Sequence, residues 1–235
     1  MNNLTETLNY NDTIIKYNYN SNDKSGYWCI EEIVINDEYE LYKYKNSKNV
    51  LIDIGGNHGL VTCILAKQNP DAKIIILEPI PRLVDIIKKN IKLNNLTNVI
   101  IVDKALGDGN NINLCVPIKG CSGASSTLVN DVKDFSERYE GVEEIIVKTI
   151  SFDNLLKKYG VDNKIIDLLK IDCEGGEYYL YDSEILKNNI IKNITGEFHN
   201  LKYNQKINSN WNSEDLTNYL KKYISGNFKI TYLNI

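Results

Sequence analysis

Short apolar runs alternate with helical segments along most of this chain, and the first run stops at a glycine turn, LIDIGGNHG, residues 51–59. Val50–Ile54 reads as a buried strand, Gly59–Lys67 as a helix and Lys73–Leu77 (KIIIL) as a second strand. Pro81 suits a first helical turn, where its missing N–H costs nothing. Leu83, Ile86, Ile87 and Ile91 follow at helical spacing and give that helix one apolar face. Val99–Val102 is a third strand. Asn111–Val116 and Ile145–Ile150 are predicted to pair as extra strands around an irregular stretch, 104–144. Ser151 is placed to cap the helix FDNLLKKYG, and Gly160 to close it. Ile165–Ile171 and Ile194–Phe198 are the fourth and fifth strands, Ser213 caps a helix through Ile224, and Phe228–Leu233 alternates as a last strand. Strands interleaved with helices specify an α/β fold: a mostly parallel sheet with helices on both faces. Residues 1–48, polar and rich in Tyr, read as an N-terminal lead-in segment, and 49–235 as one domain.

In such a sheet the ligand sits at the carboxyl ends of the strands. The first strand ends in Asp53, followed by Gly55, Gly56, Asn57 and Gly59. Glycines allow a tight turn and close approach of backbone to a ligand, and the following helix points N–H groups into the site. The second strand ends in Glu78, an acid placed to accept hydrogen bonds from a ribose diol. Asp103, Lys104 and Ala105 follow the third strand, where backbone groups can hold a base edge. These features suit an adenosine. A nicotinamide dinucleotide would set its pyrophosphate on the turn, against Asp53, and the glycines read G-G-x-x-G rather than G-x-G-x-x-G. S-adenosylmethionine (SAM) would bring a positive sulfonium and ammonium instead, which a carboxylate tolerates. SAM is therefore the expected cofactor.

The fourth strand runs into DLLKIDCEGGE, with Asp167, Lys170, Asp172, Glu174 and Glu177. A lysine inside an apolar strand is costly unless its charge is paired, so Lys170 is expected to pair with a neighbouring acid or to act in catalysis. The fifth strand ends in GEFHN, which puts Glu197 and His199 on one side of the strand.

Net charge is −4 and there is no basic stretch with interleaved aromatics, which argues against nucleic acid as a partner. Five cysteines, an odd number without a C-x-x-C pair, support neither a disulfide framework nor a zinc ribbon. The N-terminus shows no signal peptide and no apolar run is long enough to span a membrane, so a cytoplasmic protein without a membrane partner is expected.

LIDIGGNHG, ILEPIPRL, KALGD, KTISFDNLL, IDLLKIDCEGGE and GEFH, in this order over roughly residues 49–200, resemble the FkbM family of SAM-dependent methyltransferases. The resemblance implies a Rossmann-like class I methyltransferase fold for residues 49–235 and methyl transfer to hydroxyl groups of sugars, polyketides and other small molecules. Gly56 stands where an alanine is usual and His58 where an aliphatic residue is usual. Carried over position by position, Asp53, Gly55 and Gly59 should border the methionine part of SAM and the turn. Glu78 should bind the ribose, Asp172 and Glu174 should lie near the methyl group or its acceptor, and Glu197 and His199 on the acceptor side. The usual antiparallel C-terminal hairpin is expected to be shortened or rearranged.

An alcohol oxygen needs a base during methyl transfer. His199 has the most suitable unperturbed pKa, with Asp172 and Glu174 as alternatives if crowding of like charges raises one of them. His58 reads as a turn residue over the cofactor. Asp172 with Glu197 and His199 could instead hold Mg²⁺, a reading set below metal-free catalysis. The 119–127 stretch, with Ser125 and Ser126, reads as a surface loop or a lid, and Tyr178, Tyr179, Tyr181, Tyr203 and Trp211 as packing or as a sugar platform. The expected function is O-methylation of a small-molecule or carbohydrate acceptor. The alternatives are a catalytically silent SAM-binding module and a nicotinamide oxidoreductase.

Overall fold

The computed structural model describes residues 3–118, 121, 123, 141–200 and 212–234. Six strands form the central sheet: β3 (Val50–Ile54), β4 (Lys73–Leu77), β5 (Val99–Val102), β9 (Ile166–Ile171), β10 (Ile194–Asn200) and β11 (Phe228–Asn234). Their order is β11-β10-β9-β3-β4-β5, and every pairing is parallel. The chain builds outward from β3 to one edge and then from β9 to the other. The direction reverses between β3 and β9, which is where a crevice opens in sheets of this kind. The last strand lies parallel against β10.

The strands alternate their side chains between two cores. Ile52 and Ile54 of β3, Ile75 and Leu77 of β4, and Leu169 and Ile171 of β9 face one way. They pack against α4 (Phe152–Lys158) and α5 (Ser213–Leu220) through Phe152, Leu155, Leu216 and Leu220. Leu51, Ile74 and Leu168 face the other way, onto α2 (Leu60–Gln68). α3 (Pro81–Leu93) follows β4 with Pro81 in its first turn. Ser151 caps α4 by accepting from the Asn154 N–H. α5 is capped by Asn212 rather than Ser213, and ends at Leu220, short of the expected Ile224. Beside the main sheet, β7 (Asn111–Pro117) pairs antiparallel with β8 (Val142–Ile150), as expected for the two runs flanking the irregular stretch, and β6 (Ala105–Leu106) adds parallel to β8.

The N-terminal segment is more ordered than its polarity suggests. β1 (Asn3–Tyr10) and β2 (Thr13–Asn20) make an antiparallel hairpin. Its two-residue turn, Asn11-Asp12, takes positive φ at both positions (45° and 66°), the geometry that matches strand twist and that Asn and Asp tolerate. α1 (Lys24–Ile30) is capped by the Asp23 side chain and runs on as a π-helical turn over Glu31–Ile35. Leu8, Ile15, Tyr17, Ile30 and Leu41 from this segment share a core with Leu51, Leu60, Ile64 and Leu168. The segment thereby covers the α2 side of the sheet and reaches the carboxyl ends of the strands.

Candidate functional site

A cleft of ≈ 240 Å³ lies over the carboxyl ends of β3, β4 and β9. The turn after β3 forms its floor. Gly55 takes φ +81°, and a Cβ there would stand 1.6 Å from the Asp172 carbonyl oxygen, so no side chain fits. The Gly55 and Gly56 N–H groups both donate to the Leu77 carbonyl, at 3.1 and 2.9 Å, which ties the turn to β4. Gly59 (φ +81°) begins α2.

Glu78 lies one residue beyond β4 and is 4% exposed. One carboxylate oxygen accepts from the Asn57 N–H at 2.8 Å and the other from the Ile80 N–H at 2.9 Å. The two bonds hold the carboxylate against the cleft wall, and burial pushes its pKa up to about 7. Lys104, Ala105 and the apolar side chains of Ile80, Leu83 and Leu114 complete that end.

Asp53 is placed differently from the sequence expectation. It is fully buried and is not among the residues that line the cleft. The two-residue repeat of β3 turns it, like Leu51, toward α2, where it accepts from the Thr62 hydroxyl at 2.7 Å. Register sets Lys170 of β9 directly opposite Asp53 in the parallel pair. The Lys170 ammonium lies 3.4 Å from Asp53 and 3.7 Å from Asp172, sits 5.4 Å from the centre of the Tyr39 ring, and donates to the Gly55 carbonyl at 2.8 Å. Burial opposes its charge, but the Asp53 and Asp172 carboxylates outweigh that and hold its pKa above the usual lysine value. An ammonium that remains protonated is no base. It fixes the glycine turn from beneath.

At the far end of the cleft, His199 is 1% exposed and ringed by acids. Glu177, fully buried, accepts from the His199 backbone N–H at 2.6 Å and lies 3.0 Å from its Nδ1. His199 Nε2 stands 3.6 Å from Glu174, 3.8 Å from Asp172 and 3.9 Å from Glu197. Burial alone would lower the imidazole pKa, but Glu177, Glu174 and Asp172 raise it to about 10. His199 is therefore an imidazolium at neutral pH and cannot accept a proton, against the base role its unperturbed pKa suggests. Its Nε2 end gathers Asp172, Glu174 and Glu197, which all line the cleft. Burial lifts the Glu174 carboxyl to about 8 and that of Glu197, with Asp172 adding repulsion, to about 7. The ligand atoms of Asp172, Glu174 and His199 lie within 4.8 Å of one another, a set able to hold a cation, with Glu174 in place of the Glu197 anticipated from sequence.

Of the remaining sequence candidates, Gly55 and Asn57 line the cleft, whereas Gly56 and Gly59 shape the turn without reaching its wall. His58 is buried under the turn, edge-on to Tyr17, with Nδ1 2.7 Å from the Asn57 side-chain oxygen. Burial lowers its pKa to about 4, so it is neutral. Tyr178, Tyr179 and Tyr181 pack in or against the core and do not line the cleft. Tyr203, Trp211, Ser125 and Ser126 lie outside the described residues. All five cysteines are thiols outside any disulfide.

Sequence reasoning missed the wall contributed by the N-terminal segment. Ser25, Trp28 and Glu32, spaced by three and four, run along one helical face over the cleft. Tyr39 donates its hydroxyl to Asp172 at 3.0 Å. The helical spacing within GYWCIEEIVI was the available signal for part of this wall. Nothing local pointed to Tyr39 or to the pairing of Glu177 with His199.

The profile of the methyltransferase FkbM domain matches residues 53–224. A protein of Sordaria araneosa named methyltransferase sdnD is 27% identical over 184 residues, which cover 66% of this chain and 71% of that protein. A protein of Beauveria bassiana (strain ARSEF 2860) named methyltransferase 1 is 25% identical over 159 residues, covering 63% of this chain and 62% of that protein, so the chain spans under two thirds of its length. Among solved structures, M. jannaschii TYW2 in complex with AdoMet is similar at 15% identity, with a TM-score of 0.30, over 61% of this chain and 84% of that one. With nearly three quarters of its length matched, the chain belongs to the FkbM family and is a SAM-dependent methyltransferase.

Proposed function

We propose that the protein methylates a hydroxyl group of a small molecule, with sugar hydroxyls first among the candidates. SAM supplies an electrophilic methyl group on a positively charged sulfur. The residues present fit that molecule. A side-chain-free turn at Gly55 leaves backbone at the cleft floor, and Glu78 presents acceptor oxygens suited to a diol. Ile80, Leu83 and Leu114 offer an apolar wall for a flat base, and the Asp172 carboxylate suits a cation.

The observation that carries the hydroxyl reading is Glu197. It lines the cleft beside Asp172, and burial and that neighbour set its carboxyl at about 7, where a group is both ionised enough to accept a proton and basic enough to take one. Glu174, at about 8, is mostly protonated at neutral pH, and His199 is already charged. In this reading Glu197 removes the hydroxyl proton, Lys170 and Tyr39 hold Asp172 and the turn, and Glu177 keeps His199 protonated between the acids. Calorimetry with SAM and S-adenosylhomocysteine, followed by a methyl-transfer screen over sugars and other small alcohols with and without EDTA, tests it. Glu197→Gln should retain S-adenosylhomocysteine affinity within a few-fold while turnover falls by about 10²-fold or more, the usual worth of a general base. Unchanged turnover in that variant would remove Glu197 from the role.

A further inference from the structure

The matched family region begins at residue 53, yet part of the cleft wall is built before it. Asp23 caps α1 and fixes its start, and Ser25, Trp28 and Glu32 then follow the cleft along a single face. Ser25 lies at the Asn57 end: a Cβ placed on Gly123 would stand 2.6 Å from the Asn57 amide and 3.0 Å from the Ser25 Cβ. Glu32 lies at the other end, where the Asp172 carboxylate adds to the cost of ionising it and where Glu197 feels its charge. Trp28, between them, is 41% exposed although it lines the cleft. A large indole left open at the mouth of a cleft is a surface awaiting a partner.

Acidic side chains dominate the polar lining of this cleft. Glu32, Glu78, Asp172, Glu174 and Glu197 line it, and among the described residues Lys104 is the only basic side chain in the lining. Lys170 is committed beneath the turn to Asp53, Asp172 and the Gly55 carbonyl. A phosphate or carboxylate on the acceptor would add one more negative charge to a wall of acidic side chains, with Lys104 alone among the described lining residues to pair with it. Hydroxyl and ammonium groups, which donate hydrogen bonds, complement the same wall.

Resting on the hydroxyl-methylation reading above, we propose that the N-terminal segment is the specificity element of this enzyme. Trp28 stacks on the acceptor and Glu32 accepts its hydrogen-bond donors, so the acceptor is a polyhydroxylated molecule that carries no negative charge. Trp28 and Glu32 act in acceptor choice and not in holding SAM.

The chain holds two tryptophans, so a Trp211→Phe background leaves Trp28 as the sole indole reporter, and calorimetry on the parent protein reads each sugar affinity with Trp211 in place. That protein, saturated with S-adenosylhomocysteine, is titrated with methyl glucoside, glucosamine and glucose 6-phosphate: one ring with neutral, positive and negative charge. The first two are expected to shift Trp28 emission, with glucose 6-phosphate binding at least 10-fold more weakly. Trp28→Ala, followed by calorimetry, should weaken sugar binding at least 10-fold and leave S-adenosylhomocysteine affinity within threefold. Glu32→Gln should erase any preference for glucosamine over methyl glucoside. Equal or tighter binding of glucose 6-phosphate, or no response to any of the three sugars, overturns the proposal. So does a loss of S-adenosylhomocysteine affinity in Trp28→Ala that matches the loss of sugar affinity. Failure of S-adenosylhomocysteine to bind the parent protein would overturn the underlying reading instead, and is seen before any sugar is added.

Discussion

Two buried charges organise the site, and both act through what they hold. Lys170 is matched to Asp53 by strand register and donates to the Gly55 carbonyl, so it couples β9 to the turn after β3. Removing one partner of such a pair leaves the other charged and unpaired, which costs about 3–5 kcal/mol. Lys170→Met should therefore lower unfolding stability by that order, measured by urea denaturation, and weaken SAM binding through a loosened turn. A variant as stable as the parent would show that Asp53 is not ionised beneath the turn. His199 works differently. Its imidazolium lies between Glu177 on one side and Asp172, Glu174 and Glu197 on the other, and keeps those acids together despite their mutual repulsion.

At the scale of elements, the turn after β3 and the helix after β8 show how far local chemistry reaches. Ser151 caps α4, and Ser151→Ala should cost about 1 kcal/mol, read as a lower thermal midpoint with SAM affinity unchanged. Both the cap and the helix were legible in the sequence, as were all six strands of the main sheet: β3, β4, β5 and β9 read as near-continuous apolar runs, while the edge strand β11 shows itself by alternation. The N-terminal hairpin was not read. Its strands alternate Tyr, Asn, Thr and Lys, and its turn carries no glycine, so periodicity was weak and the turn signal muted. Tyr10, Tyr17 and Tyr19 nevertheless bury their rings while their hydroxyls find Asp37, the Gly26 carbonyl and Glu6.

Across the whole molecule, acids concentrated at one edge of the sheet make stability depend on pH. His199 is raised from 6.5 to about 10, so its contribution is complete below pH 6.5 and is lost as pH rises toward 10. Glu174, raised from 4.5 to about 8, and Glu32, Glu78 and Glu197, raised to about 7, favour the folded state while protonated and lose that contribution as they ionise. His58, lowered to about 4, acts in the opposite sense but only below pH 6.5. The ligand-free protein should therefore lose thermal stability steadily from pH 6.5 to 9 at constant ionic strength, followed by scanning fluorimetry. A midpoint that rises over this range would contradict the protonation states assigned to the site.

From residue 50 onward, the order of the main strands and helices, the glycine turn and the acids at the strand ends were determined by the sequence alone, because each is a local pattern: a two-residue or 3.6-residue repeat, a cap, or a residue at the end of a run. Which of those acids reach the cleft was decided only by the tertiary structure. Pairing register set Asp53 against Lys170 and turned both away from the cleft. Glu177, Glu174 and Asp172, packed around an imidazole on the next strand, made His199 a cation instead of a base. A helix from a segment that looked merely polar became one wall of the site. Register, burial and summed charge are properties of several chain segments at once, and no single stretch of residues contains them.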